Sequence, residues 1–160
     1  MENYLVTTAI KETWPKKNKN IIFLGEWCKI YSEKKLWETR NFLTLNYHWN
    51  DRKKFYDDFK YLQSFYEKLL PVISNELNNI HNINMPEKYW RILIGQWLCK
   101  YIHVSFDRWE MITDCQKNFK EFKTLVLNFD NYDFIPKSLN DFLRKITDDD
   151  WNHYQYSQII

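Results

Sequence analysis

The sequence predicts a helix-rich α/β fold, a mostly parallel, Rossmann-like sheet with long flanking helices. Three observations predict it. Ile21-Ile22-Phe23-Leu24 is a continuous apolar run of strand length, as in a central parallel strand covered on both faces. Two further β-branched or aromatic runs, Leu5-Val6-Thr7-Thr8 before it and Phe42 to Tyr47 after it, also read as strands. Long stretches of three- and four-residue apolar periodicity then alternate with the strands, the pattern of βα units.

Composition bounds the remaining possibilities. A chain of 160 residues is expected to form one domain with a core of its own. Eight Trp, eleven Tyr and eleven Phe supply large, flat side chains, most of them for the core, although exposed aromatics also serve sugar- and partner-binding surfaces. Net charge is +2 with acids and bases interleaved, and the short cluster Lys16-Lys17-Asn18-Lys19 reads as a solvated turn, so no nucleic-acid footprint is expected. Cys28, Cys99 and Cys115 are odd in number, widely spaced and form no CxxC pair, which argues against a disulfide framework or structural zinc and for free thiols. The start of the chain lacks the basic and apolar regions of a signal peptide. The most apolar run, Ile92 to Phe106, is too short and too interrupted to span a bilayer. A cytoplasmic location is therefore the expectation.

Taken in order, Tyr4 to Ile10 holds the first strand, and Pro15 is a stop signal after it. Ile21 to Leu24 is the second strand, ending at Gly25, with a weak helix expected over Glu26 to Trp37. Phe42 to Tyr47 is the next strand. Asn50 or Asp51 then suits the N-cap of a long helix from about Arg52 to Ile80, carried by Phe55, Phe59, Leu62, Tyr66, Leu69, Ile73, Leu77 and Ile80, with a kink at Pro71. Asn78 to Asn84 reads as a loop and Pro86 as the first turn of another helix. From Tyr89 to Ile112 that helix is apolar around most of its circumference, apart from the stripe Gln96, Lys100, His103 and Asp107, so it is expected to be mostly buried. Leu125 to Phe129 reads as another strand, Leu139 to Ile146 as a short helix capped by Ser138 or Asn140, and Trp151 to Ile160 as a helix preceded by the acidic cap or turn Asp148-Asp149-Asp150.

Ligands of doubly wound sheets sit beyond the carboxyl ends of the strands. That rule points to Gly25-Glu26-Trp27, Tyr47-His48-Trp49 and Asn128-Phe129-Asp130. Glu26, just past a glycine turn, suits a general base or a sugar-hydroxyl acceptor, or else caps the next helix. His48, near Asp51 and Arg52, suits general acid/base work. Arg52, near a helix N-terminus, suits a phosphate or carboxylate. Arg91 shares a helical face with Leu98, Ile102 and Trp109 and must find an anion there: Glu26, Asp107 or a substrate. Gly95 in mid-helix marks close packing or ligand approach. Asp107-Arg108-Trp109-Glu110 reads as an exposed charged helix end. His81 and His153 show no partner in sequence, and His103 reads as a surface residue. No metal-ligand spacing, G-x-G-x-x-G loop, P-loop or G-x-S-x-G elbow is present.

Several blocks together resemble a known family. Leu5-Val6-Thr7-Thr8-Ala9 with Glu12-Thr13-Trp14, Phe23-Leu24-Gly25-Glu26-Trp27-Cys28, Tyr47-His48-Trp49 with Asp51-Arg52, Tyr89 to Gly95 with Trp97, and Phe106-Asp107-Arg108-Trp109-Glu110 look like the N-terminal part of the transferases of spirochaete and other bacterial O-antigen and surface-polysaccharide loci. The resemblance runs in order over nearly the whole chain. It implies the N-terminal, acceptor-side part of a longer glycosyltransferase of two Rossmann domains. It also implies a nucleotide-activated sugar as donor substrate, a glycan or lipid-linked acceptor, no cofactor, and a C-terminal domain or partner chain to complete the site. On it, Glu26 and His48 are the candidate catalytic residues, and Arg52, Arg91 and Arg108 the candidate substrate-binding residues. The alternative is a non-catalytic binding or assembly module that docks a partner protein through an aromatic-rich face. A stand-alone nucleotide-binding protein is disfavoured by the missing glycine-rich loop.

Overall fold

The computed structural model describes residues 2–16, 19–128 and 134–160. Among these residues four strands form one sheet: β1 (Asn3–Val6), β2 (Asn20–Phe23), β3 (Phe42–Thr44) and β4 (Lys123–Thr124). The α-helices among the described residues are α1 (Arg52–His81), α2 (Glu87–Asn118), α3 (Leu139–Lys145) and α4 (Asp149–Ile159). The sheet order is β3-β2-β1-β4 and every pairing is parallel, with Leu5 opposite Ile22 on one side and Thr124 on the other. The fold is therefore α/β, helix-rich and Rossmann-like, as the sequence predicts. The chain divides into two compact units, Met1–His48 with Arg108–Ile160, and Trp49–Asp107.

The first unit holds the sheet. Leu5, Val6, Ile21, Ile22 and Phe23 are all buried, so consecutive side chains on both faces of β1 and β2 are covered. Met111, Ile112 and Cys115 of α2 and Tyr156 of α4 join them in one core. β3 is an edge strand, and its Leu43 is exposed. At the amino-terminal edge of the sheet the chain saturates itself. The Asn20 amide donates to Asn3 and the Asn41 amide to Asn20 (3.2 and 2.6 Å). The Glu2 carboxylate pairs with Lys123 and Lys19, which lower its pKa to about 2.

The second unit is a hairpin formed by α1 and the part of α2 up to Asp107. Asp51 caps α1, accepting from the Lys53 and Lys54 N–H groups, and Asn82 ends it in the left-handed conformation (φ 51°). Pro71 is absorbed within the continuous helix. The expected loop is shorter than the sequence suggests, because Asn78 stays helical and staples the turn. Its amide donates to the Met85 carbonyl, while its side-chain oxygen accepts from the Met85 N–H and the Trp90 indole. Leu62, Leu70, Leu98 and Ile102 form the buried core between the helices. Gly95 marks close packing: a Cβ there would lie 2.6 Å from the Tyr66 hydroxyl.

Several local expectations need correction. The segment Glu26 to Trp37 is not an α-helix but two 3-10 turns, Glu26–Cys28 and Tyr31–Leu36, the second of which buries no residue. The last strand is Lys123–Thr124 rather than a run from Leu125. The Leu127 N–H is taken by a histidine side chain instead of a ladder, and Phe129 and Asp130 lie outside the described residues. In the cluster at Lys16 to Lys19, Lys17 and Asn18 also lie outside them. Helix α2 is not mostly buried: Ile92 is 74% and Leu93 58% exposed, because within a two-helix unit each helix has one neighbour and its far side stays uncovered. Among the described residues no helix is long and apolar enough to cross a membrane.

Candidate functional site

Strand order places a topological switch point at β1. The chain proceeds outward from β1 to β2 and β3, and β4 is then added on β1's other side. In open parallel sheets this is where a crevice forms, outside the carboxyl ends of the strands. The residues at that edge in the first unit are Thr7 and Thr8 after β1, Gly25 to Cys28 after β2, Tyr47 and His48 after β3, and Leu125 to Asn128 after β4.

The turn after β2 is folded back over the end of β1. Val6 accepts from the Leu24 N–H (2.9 Å) and from the Cys28 thiol (3.3 Å), and the Trp27 indole N–H donates to the Thr7 carbonyl (3.0 Å). Gly25 makes room for this. A Cβ at that position would lie 2.1–2.4 Å from three atoms of the Trp27 ring. Cys28 is fully buried, and burial pushes its thiol up to about 12, so it stays a protonated donor. Trp27 meets Tyr47 edge-on (ring centroids 6.2 Å apart), and Tyr47 meets His48 (5.1 Å). Three aromatic side chains thus join the second and third strand ends.

Among the predicted residues, Glu26, His48 and Arg108 belong to this first unit, and Arg52 and Arg91 to the second. The Glu26 side chain is 79% exposed and pairs with Lys29 (2.8 Å), whose ammonium lies over the rings of Phe42, Trp37 and Phe23. His48 is buried in a short 3-10 turn, and a ring nitrogen lies within 4.8 Å of a carboxylate oxygen of Glu110, itself buried. Arg108 is half-buried. Its Nε and Nη2 donate to the Asn152 side-chain oxygen (3.2 and 2.9 Å), and Nη2 also donates to the Ile146 carbonyl (3.2 Å). It therefore braces the α3–α4 corner.

In the second unit Arg52 is exposed in the first turn of α1. Arg91 does not lie on a buried face. It pairs with Glu67 (2.6 Å) and Glu87 (2.9 Å), rather than with Glu26 or Asp107. The Glu67 hydrogen bond and then that of Glu87 raise the pKa of the guanidinium further.

Two histidine expectations also change. His153 of α4 is buried rather than partnerless: the Leu127 N–H donates to its Nε2 (3.1 Å), which leaves the proton on Nδ1 to be donated to the Thr7 hydroxyl (3.3 Å). Burial lowers its pKa. His103 is half-buried and donates to the Cys99 carbonyl (2.7 Å), while His81 stacks on Trp90 (5.9 Å). The stretch Asp107 to Glu110 is not an exposed helix end, since Asp107 and Glu110 are both buried. The signal for Glu110 is its frame of Trp109, Met111 and Ile112, a lone acid in an apolar run. For His153 it is weaker, a position three residues before the buried Tyr156.

The family model described as LIC12162 family transferase matches residues 3–160. The chain belongs to this transferase family. No curated protein and no solved structure matched it. Among the described residues, the carboxyl edge of this LIC12162-family transferase offers the exposed Glu26 carboxylate, the buried His48 imidazole with the buried Glu110 carboxylate within 4.8 Å of it, and the rings of Trp27 and Tyr47.

Gly25→Ala forces the Trp27 ring off the Thr7 carbonyl and is expected to destabilise the protein by about 2–3 kcal/mol, from overpacking and one lost hydrogen bond. Urea unfolding measures this, and the tryptophan emission should shift to the red at the same time. His153 carries a pH dependence whose sign is fixed. Its folded pKa lies below the unfolded 6.5, so the neutral ring contributes stability above that value, and the contribution is lost as pH falls through the folded one. Stability should therefore decline below about pH 6.5, less steeply in His153→Gln, as read from denaturation midpoints at successive pH values.

Proposed function

We propose that this chain is the acceptor-side domain of a glycosyltransferase that acts in surface-polysaccharide synthesis, with a nucleotide-activated sugar as donor and a glycan or lipid-linked acceptor. The observation that carries the reading is the match to a transferase family over residues 3–160, on a parallel sheet whose carboxyl edge holds Glu26 and His48. Sugar transfer needs a group to accept the proton of the attacking hydroxyl, and both residue types suit that role. The aromatic wall of Trp27 and Tyr47 suits the apolar faces of a sugar ring. Arg52, Arg91 and Arg108 are the cations proposed for anionic substrate groups, Arg91 after exchange of its glutamate partners. A C-terminal domain, or a partner chain, would bring the donor.

A second reading has one observation in its favour. Ile92, Leu93 and Val72 are exposed apolar side chains on the two-helix unit, as an assembly module that docks a partner protein would have them.

The readings separate on point variants in the chain together with its proposed C-terminal domain or partner chain, assayed for nucleotide release from UDP-, GDP- and CMP-sugars with a cell-envelope glycan acceptor. Under the transferase reading, Glu26→Gln or His48→Gln lowers turnover by about 10²-fold or more while the urea midpoint moves little. Full turnover in both variants would rule out either residue as the base. Loss of partner capture on Ile92→Lys, with turnover unchanged, would support the assembly role for the helical face.

A further inference from the structure

Of the two candidate bases, one has a built environment. Glu26 projects into solvent and its carboxylate is held by Lys29. His48 is 6% exposed and Glu110 is 8% exposed, and they come from different elements of the same unit: the turn after β3 and the later part of α2. Acidic side chains are rarely this buried unless they are paired. A ring nitrogen and a carboxylate oxygen within 4.8 Å of each other can couple by charge or through one bridging water. The Tyr47 ring packs against the imidazole and limits how it can turn.

We infer that Glu110 is a positioning residue for His48, so that His48 rather than Glu26 takes the proton in the transfer reaction. Glu110 selects one ring tautomer and orientation and stabilises the imidazolium that forms, the role a carboxylate plays behind a general-base histidine. In the step itself the acceptor hydroxyl oxygen bonds to the anomeric carbon and its proton passes to the unprotonated ring nitrogen of His48. The bond from the anomeric carbon to the phosphate oxygen breaks, and its electron pair leaves on the nucleoside diphosphate. Glu110 keeps its charge throughout. The chemistry of this step rests on the transferase reading above, whereas the pairing of Glu110 with His48 rests on geometry alone.

The test has two arms. Long-range proton–nitrogen spectra of the histidine rings in the 15N-labelled chain need no substrate. The pairing predicts that Glu110→Gln changes the His48 ring-nitrogen resonances and tautomer balance and leaves those of His81 and His103 in place. Glu110→Asp gives a smaller change in the same direction, and it serves if the glutamine variant does not fold. Unchanged His48 resonances in a folded variant would overturn the inference. The second arm measures turnover of UDP- and GDP-sugars by the chain together with its proposed C-terminal domain or partner chain. Glu110→Gln should lower kcat about tenfold or more with KM within about twofold, and should add little to His48→Gln. Equal, additive losses would overturn the positioning role. Ring resonances that respond to Glu110 in a protein with no turnover of any sugar nucleotide would instead contradict glycosyl transfer and leave the pairing intact.

Discussion

The last peptide groups of β1 are buried, and that constraint shapes the whole carboxyl edge. Strand pairing ends at Val6, yet Thr7 and Thr8 remain inside the protein, where unsatisfied carbonyls are costly. The chain supplies donors from elsewhere: the Leu24 N–H and Cys28 thiol for Val6, the Trp27 indole for the Thr7 carbonyl, and His153 for the Thr7 hydroxyl. Each donor fixes another element. The turn after β2 is drawn over β1, α4 is tied to the segment after β4, and Tyr47 gains a ring to pack against. Position 25 has to be glycine for a spatial reason, since the Trp27 ring occupies the place a side chain would take.

The opposite edge of the sheet makes a useful contrast. There the asparagine ladder of Asn3, Asn20 and Asn41 and the charge cluster of Glu2, Lys19 and Lys123 satisfy one another. At the carboxyl edge the Glu26 carboxylate is exposed, and the buried His48 imidazole lies within 4.8 Å of the Glu110 carboxylate from another element. Glu26 and His48 share the edge where doubly wound sheets bind their ligands.

Local interactions are the ones legible in the sequence. β2 is plain in the apolar run of Ile21 to Leu24, and α1 in its periodic stripe and the Asp51 cap, because propensity, pattern and capping agree there. Gly25 and Gly95 stand out as the chain's two glycines, and both mark places where a ring or hydroxyl takes the space of a Cβ. The missed features depend on partners remote in sequence. Leu125 to Asn128 has strand-like composition, but its backbone is claimed by His153, which no local pattern announces. Arg91 has apolar helical neighbours, yet it finds Glu67 on a separate helix and stays at the surface. Glu110 looks like part of a charged helix end until the fold brings it to His48. The apolar circumference of α2 likewise suggests burial, which a two-helix unit cannot supply on every side.

That the carboxyl edge of the sheet is the ligand-binding edge is open to a direct measurement, amide chemical-shift mapping of the 15N-labelled chain titrated with UDP-glucose and with a neutral oligosaccharide. Saturable shifts are expected to concentrate at Thr7 to Ala9, Gly25 to Cys28 and Tyr47 to His48, with Asn3, Asn20 and Asn41 unmoved. Saturable shifts confined to the asparagine edge or to the exposed face of α1 and α2 would contradict this assignment.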